Sequence, residues 1–251
     1  MEMSLVEKID SILVKKYGTK KLAAALESPV RLRMDHHSIG RRLLMVDPIP
    51  PKTKVAVYDK SIKERVSVPK FTIASDVVVS RKRWSKIVNI ICDDLEKKEM
   101  RQVVSLFACA VKESGQKHVG SLNGKSLVKA MRLVEGNDLK VEFMVMNPKT
   151  FIKLLKVRTL LDSIDVITHK SILATGTVGV LWGMSILVSK VVPVDRVYFS
   201  SESEFVGVMP LYRDATCVAC VERNGVLRVV TEEQVGMGVL NIRGVSVLVI
   251  K

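Results

Sequence analysis

The chain has 251 residues, a formal net charge of +14 and 47% apolar residues. A chain of this length buries about 70–75% of its unfolded surface, enough for one large domain or two small ones. No run reaches the ~18 uncharged apolar residues of a membrane span, and the opening Met-Glu-Met-Ser-Leu-Val-Glu-Lys lacks the basic-then-apolar order of a secretory signal. The expectation is a soluble intracellular protein with no membrane partner.

The positive charge is uneven. Residues 1–83 carry 18 Lys/Arg against 9 Asp/Glu, and residues 84–251 carry 22 against 17. The excess concentrates at Arg31, Arg33, Arg41, Arg42, Arg81, Lys82 and Arg83. These are the candidate nucleic-acid-facing residues, because phosphates neutralised by Lys and Arg release counterions whatever the base sequence. The plainer reading of each cluster is a solvated face that keeps the protein soluble. Only Tyr58, Phe71 and Trp84 lie near these clusters, so any contact is expected with the backbone and not with stacked bases. Gln occurs three times and Asn six, among abundant Lys, Arg and Glu, a balance that suits a thermophilic source.

Taken in chain order, residues 5–26 place Leu5, Ile9, Ile12, Leu13 and Leu22 among lysines and predict an amphipathic helix that Pro29 ends. Residues 29–54 are basic and punctuated by Pro48, Pro50 and Pro51; they predict an extended arm and not a packed unit. Val55 and Val57, then Val66 and Val68, flank the charged tip Asp59-Lys60-Ser61-Ile62-Lys63-Glu64, which predicts a long β-hairpin. Its few apolar residues cannot hold it up alone, so it needs another surface to lie on, its own core or a neighbour.

From Trp84 to Ser114 apolar residues recur every three or four positions, with Gly115 placed to cap the end. This predicts a helix about 46 Å long, a spine. A second helix is predicted from an Asn123 cap to Gly136. Val141–Met146 is nearly all apolar, as in a strand buried on both faces, and Asn147-Pro148 starts a short helix bearing Phe151, Leu154 and Leu155. Gly176 and Gly179 mark a loop before a strand at Val180–Val192. Beyond Arg196 the pattern is β throughout, with strands at Arg213–Glu222, Val226–Thr231, Val235–Asn241 and Val245–Ile250.

No motif carries chemistry. Gly120-Ser-Leu-Asn-Gly-Lys-Ser126 has one residue too few between its glycines for a phosphate-cradling loop, and it is expected to follow a helix and a polar connector, not a buried strand. Cys217-Val-Ala-Cys220 falls in a β run, where residues three apart point to opposite faces and cannot share a metal. Cys92 and Cys109 fall on or near the apolar face of the spine helix, as small hydrophobes. His36-His37 lacks a partner ligand, and His118 and His169 sit in lysine-flanked polar stretches. Glu202 with Glu204, and Glu232 with Glu233, fall in expected loops, where solvation is the default; Met184 and Met209 are expected to fill the core. No catalytic, cofactor-binding or metal-binding residue is assigned, no cofactor is expected, and the chain does not read as an enzyme.

The order of elements is itself specific: basic arm, long hairpin, spine helix, mixed α/β middle, returning strands. With Val145-Met146-Asn147-Pro148-Lys149-Thr150 and Leu181-Trp182-Gly183-Met184-Ser185-Ile186-Leu187-Val188, it resembles the major capsid proteins of tailed phages, the Hong Kong 97-type fold shared with encapsulins. Ser185 departs from the family, where proline is common. The resemblance implies an α+β fold with residues 1–54 as N-terminal arm, 55–80 as extended hairpin loop, 81–116 as peripheral domain with the spine helix, 117–204 as axial α/β domain and 205–251 as return strands of the peripheral domain. It implies a structural protein that assembles with itself, as pentamers and hexamers, into an icosahedral virion shell around non-specifically held double-stranded DNA. Assembly is then expected in the host cytoplasm, with portal, scaffold or decoration proteins as possible partners. Asp59, Lys60, Lys63 and Glu64 at the hairpin tip would be inter-subunit contacts. Some members cross-link hairpin lysines to asparagines, but no partner residue matches here and no cross-link is expected. With Met1 followed only by a short helix, a scaffold is expected to be separate, dispensable or already trimmed. The competing readings are an encapsulin-like compartment around a cargo enzyme, a non-capsid nucleic-acid-binding protein and, last, an ATPase using Gly124-Lys125-Ser126.

Overall fold

The computed structural model describes residues 18–47, 55–56, 65–66, 68, 70–161, 163–166, 177–221 and 226–251. Its first element overrides its own proline. Helix α1 (Gly18–His37) runs straight through Pro29. A proline inside a helix costs about 3 kcal/mol or more through the missing hydrogen bond and the ring clash. Against this, Leu22, Leu26, Val30 and Met34, one turn apart on a single stripe, are at most 1% exposed, and burying each such side chain returns about 1.5–3 kcal/mol. Packing wins. The helix does not end at Pro29, and residues 29–47 are not an extended arm: α2 (Ile39–Leu43) and strand β1 (Met45–Asp47) follow, with Ile39, Leu43 and Leu44 buried in the main core.

The predicted hairpin begins as β2 (Val55–Ala56) and β3 (Arg65–Val66), paired only with each other. Its tip lies outside the described residues. β4 (Lys70–Val79) then joins a sheet ordered β1-β11-β12-β4, through β11 (Gly207–Val221) and β12 (Leu227–Gly236), with β13 (Gly238–Val239) beside β11. The strand pattern read as two pieces at 226–231 and 235–241 is largely this one ten-residue strand, β12.

After a 3-10 turn at Arg81–Lys86, α3 (Ile87–Ser114) is the expected spine, 28 residues long. It ends on Gly115, left-handed at φ 71°, whose N–H bonds the Val111 carbonyl at 3.0 Å. The first half of α3 packs on α1 and β4, and the second half reaches a second sheet, where Phe107 meets Tyr198 at 6.0 Å between ring centroids. α3 therefore joins the two halves of the molecule.

The second sheet is ordered β5-β14-β10-β6-β9-β8-β7. Its strands are β5 (Lys117–Gly120), β6 (Val141–Met146), β7 (Ile164–Val166), β8 (Thr177–Leu181), β9 (Met184–Val188), β10 (Arg196–Ser201) and β14 (Val245–Ile250). It is buried on both faces, as the apolar run of β6 requires. Phe143, Val145, Tyr198 and Val247 face the core under α3. Met144, Met146, Phe199 and Leu248 face a layer made by α4 (Gly124–Glu135), α5 (Pro148–Leu154) and α6 (Arg158–Leu161). Two expectations change here. β14 pairs in this sheet and not with the other returning strands. The strand expected at Val180–Val192 is a hairpin: Leu181 pairs with Met184 across Trp182 and Gly183, at φ 51° and 82°. Two positive φ values make a type I′ turn, which Trp occupies at a steric cost and Gly does not. A short helix, α7 (Ser203–Val206), also interrupts the β-rich C-terminal part.

Phe107→Ala should lower stability by about 3–5 kcal/mol, because it empties the contact between spine and second sheet. Urea unfolding would measure it, and Cys109→Ala on the exposed side of the same helix should change little.

Candidate functional site

The residues singled out by charge do not form one surface. Arg41, the third residue of α2, is 8% exposed. Its guanidinium reaches three carboxylates: Nε donates to Glu99 Oε1 at 3.1 Å, Nη1 to Asp35 Oδ1 at 2.6 Å and Nη2 to Glu233 Oε2 at 2.6 Å. Glu99 lies in the middle of α3 and Glu233 near the end of β12, both 0% exposed. Ser38, the N-cap of α2, accepts from the Arg41 N–H at 3.3 Å and donates its hydroxyl to Glu99 Oε2. Gly40 packs against this cluster, where a Cβ would make ordinary contact at 3.4 Å with the Glu99 Cβ. The buried cluster ties α2, α3 and the first sheet together.

Its electrostatics follow from burial. Desolvation alone would lower the pKa of Arg41, but Glu99 and Glu233 outweigh it and hold the guanidinium above its ordinary range. One cation cannot satisfy every carboxylate around it. Burial, then repulsion from Glu99, pushes Glu233 well up, and its Oε1 has no hydrogen-bond partner among the described residues. Glu96, on the same helix, is pushed up to about 7 by burial and by Glu99.

The other N-terminal arginines are also engaged. Arg31 Nε donates to the Ala215 carbonyl at 3.2 Å and pairs with Asp214 at 3.5 Å. Arg33 pairs with Asp93 at 3.9 Å. Arg42 Nη1 donates to Thr177 Oγ1 at 2.9 Å and stacks 5.5 Å from the Phe143 ring centroid, bridging to the second sheet. Lys82 and Arg83 are exposed, and the Arg81 side chain lies outside the described residues. Arg41 is therefore removed from any solvent-side partner, Arg42 is half-buried between the two sheets, and Arg31 and Arg33 pair with aspartates at the surface. Asp59, Lys60, Lys63 and Glu64 lie outside the described residues.

Sequence reasoning missed Glu99 and Glu233, and the signals were present. Glu99 is one turn from Leu95 and one from Val103, in the apolar stripe of α3, but its neighbours Lys97, Lys98 and Arg101 read as a solvated side. Glu233 is not in a loop; it shares the inward parity of β12 with Leu227, Val229, Thr231 and Val235.

The two segments that carried the family resemblance meet in space. β6 and β9 pair in parallel from Phe143↔Ser185 to Met146↔Val188. Asn147 then accepts from the Lys149 N–H at 3.0 Å, capping α5, while its Nδ2 donates to the Val192 carbonyl at 2.8 Å. One asparagine thus fixes both the strand–helix junction and the loop after β9. Elsewhere, Gly120–Ser126 does follow a strand, the half-exposed edge strand β5, contrary to expectation. Its helix start is closed from within, as Asn123 Oδ1 accepts the Ser126 N–H at 2.9 Å and a Cβ on Gly120 would strike the Ser126 hydroxyl at 2.7 Å. Cys217 is buried against Thr231 and Cys220 is exposed, on opposite faces of β11. Among the described residues no group of His, Cys, Asp and Glu is arranged to hold a metal ion, and no helix is long and apolar enough to cross a membrane.

No protein-family model matches the sequence, and no curated protein matches it. Solved structures do. A virus-like particle from Pyrococcus furiosus superposes with a TM-score of 0.59 over 92% of this chain and 98% of that one, at 16% identity. The capsid of the cyanophage P-SCSP1u superposes with a TM-score of 0.54 over 86% and 89%, at 12% identity. A structure from Microbacterium phage Oxtober96 gives 0.54 over 85% and 91%, at 9% identity. The chain has the Hong Kong 97-type capsid fold.

Arg41→Ala should cost about 3–5 kcal/mol, because it leaves buried carboxylates without their cation, and Arg41→Lys should recover only part, since an ammonium cannot serve three directions from a planar fork. Chemical denaturation at pH 7 would measure both. A carboxyl whose folded pKa is raised binds more protons folded than unfolded, so stability falls as pH rises from the ordinary 4.5 of a glutamate to about 7 for Glu96 and further for Glu233. Glu233→Gln should flatten that decline, read as urea midpoints at pH 5 and pH 8.

Proposed function

We propose that this chain is the subunit of a closed protein shell, the major capsid protein of a virion that holds double-stranded DNA. The observation that carries the reading is the likeness to the Pyrococcus furiosus particle and the cyanophage capsid along nearly the whole of each chain, one a virus-like particle and the other a capsid. On this reading α3 is the spine helix, the β1-β11-β12-β4 sheet belongs to a peripheral half and the seven-stranded sheet to an axial half. The layout of the molecule supports it. β2 and β3 pair with each other and with no other described strand, and a two-stranded ribbon is marginal in water without a third strand or a packed face. A neighbouring subunit supplies it in a closed assembly, where every such edge meets a partner by symmetry.

The role is structural. The buried polar groups at Arg41, Glu99 and Glu233 are held in ion pairs and hydrogen bonds that join elements of the fold, which is architecture and not a reaction centre. Self-association through hairpin and axial surfaces is the function, and the packaged polymer is its content.

Purified protein should run as capsomers or shells by size exclusion and appear as rings or closed particles in negative stain. Replacing residues 57–64 by a short Gly-Ser linker should leave the subunit folded by circular dichroism and abolish closed particles. A monomer in every buffer for the unaltered chain would refute the shell reading. Nuclease-resistant DNA inside the particles separates a capsid from a compartment loaded with protein cargo.

A further inference from the structure

Arg41 is buried, and Arg31, Arg33 and Arg42 are held by ion pairs or hydrogen bonds; beyond exposed Lys82 and Arg83, a denser group of exposed cations lies elsewhere. Between Gly124 and Arg158 the sequence has eight Lys/Arg and three Asp/Glu. Lys125, Lys129 and Arg132 project from α4, and Lys149, Lys153, Lys156 and Arg158 from α5, α6 and their connection; all seven are exposed. None of them forms an ion pair among the described residues. Of the three acids, Glu142 is on β6 near Arg42, while Glu135 and Asp138 sit at the far end of α4.

The two groups belong to one layer. α4, α5 and α6 cover the same face of the axial sheet and share one apolar core through Leu127, Ala130, Leu154 and Leu160. The start of α4 touches α6 and the β8–β9 turn: a Cβ on Gly124 would stand 3.3 Å from Leu160 and 4.0 Å from the Trp182 ring. Lys125 with Lys129, and Lys149 with Lys153, are like charges one turn apart, an arrangement that weakens an isolated helix. Nothing among the described residues compensates it. Beside these cations Trp182 is 42% exposed and Ile152 is 55% exposed. At its other end α4 opens onto a groove of about 700 Å³ lined by Arg132, Arg243 and Glu113. Gln116, 8% exposed, also lines that groove, and its Oε1 has no hydrogen-bond partner among the described residues.

We propose that this helical face of the axial half, and not the N-terminal arginine cluster, is the surface that meets the packaged nucleic acid, through its phosphate backbone. The occupant follows from charge. Seven exposed cations carried on one helical layer match a polyanion whose charge repeats along its length. The contact is sequence-independent, since cations meeting phosphates carry no base-sequence information. The proposal rests on the shell reading for its content, but binding itself is measured on the unassembled chain.

The test is fluorescence anisotropy of a labelled 30-base-pair duplex with the full-length protein between 50 and 200 mM salt. Lys129→Gln/Lys149→Gln/Lys153→Gln should reduce the slope of log affinity against log salt by about 2–3, at roughly 0.9 for each phosphate no longer neutralised. The same three positions changed to Arg should keep the slope, which separates charge from folding, and Lys82→Gln/Arg83→Gln should leave it nearly unchanged. An unaltered slope in the triple Gln variant, or a reduction confined to the Lys82/Arg83 variant, overturns the proposal. So does tighter binding of poly-glutamate than of duplex, which would assign the face to an acidic protein. In particles, the triple Gln variant should still close but retain several-fold less nuclease-resistant DNA. Failure of the unaltered chain to form particles refutes the shell reading alone, since duplex binding is scored separately.

Discussion

A single guanidinium buried among carboxylates from three parts of the chain sets the rest of the structure. Arg41 arrives on a five-residue helix, Glu99 from the middle of the spine and Glu233 from the first sheet. Each charge is expensive to remove from water, and the attraction between them repays that only when the geometry is kept. The net stabilisation is therefore small, whereas removal of one member is severe. Such a cluster acts as a register device: α2 cannot slide on α3, nor α3 on β12, without leaving a bare charge in the core. Arg42 extends the same constraint to the second sheet through Thr177 and Phe143, so adjacent arginines hold both halves to one short segment.

Much of the fold was legible because local and tertiary signals agreed. The spine helix has an apolar stripe and a glycine cap, α4 and α5 have Asn caps, and β6 reads as buried on both faces. The N-terminal segment was not legible because Pro29 and the basic composition both argue for an extended arm. The stripe Leu22, Leu26, Val30, Met34 that overrides them gains its energy only from surfaces far along the chain. Trp182-Gly183 failed as a hairpin signal for a related reason, since Trp is an unusual occupant of the left-handed region.

One part of the candidate site reads differently in space, since Arg41 is buried among carboxylates. Net charge along a sequence counts side chains without their partners, and Arg31, Arg33 and Arg41 have acidic partners 58 to 192 positions away. The lysines of α4 to α6 are spread over three elements in the sequence, and these elements fold into one layer. Density of charge in space, not in sequence, separates a structural arginine from an exposed one. On the proposed shell reading the same distinction orders the molecule: ion pairs where the subunit must be rigid, and exposed cations and the β2–β3 ribbon where it must meet something else.

A cryo-electron microscopy reconstruction of assembled particles tests this most directly. The account expects closed shells in which residues 18–43 pack within their own subunit, and the α4–α6 layer lines the lumen against nucleic-acid density. A map with that segment crossing onto a neighbouring subunit, or with the α4–α6 layer on the outer surface and internal density against Arg31 and Arg33, would contradict it.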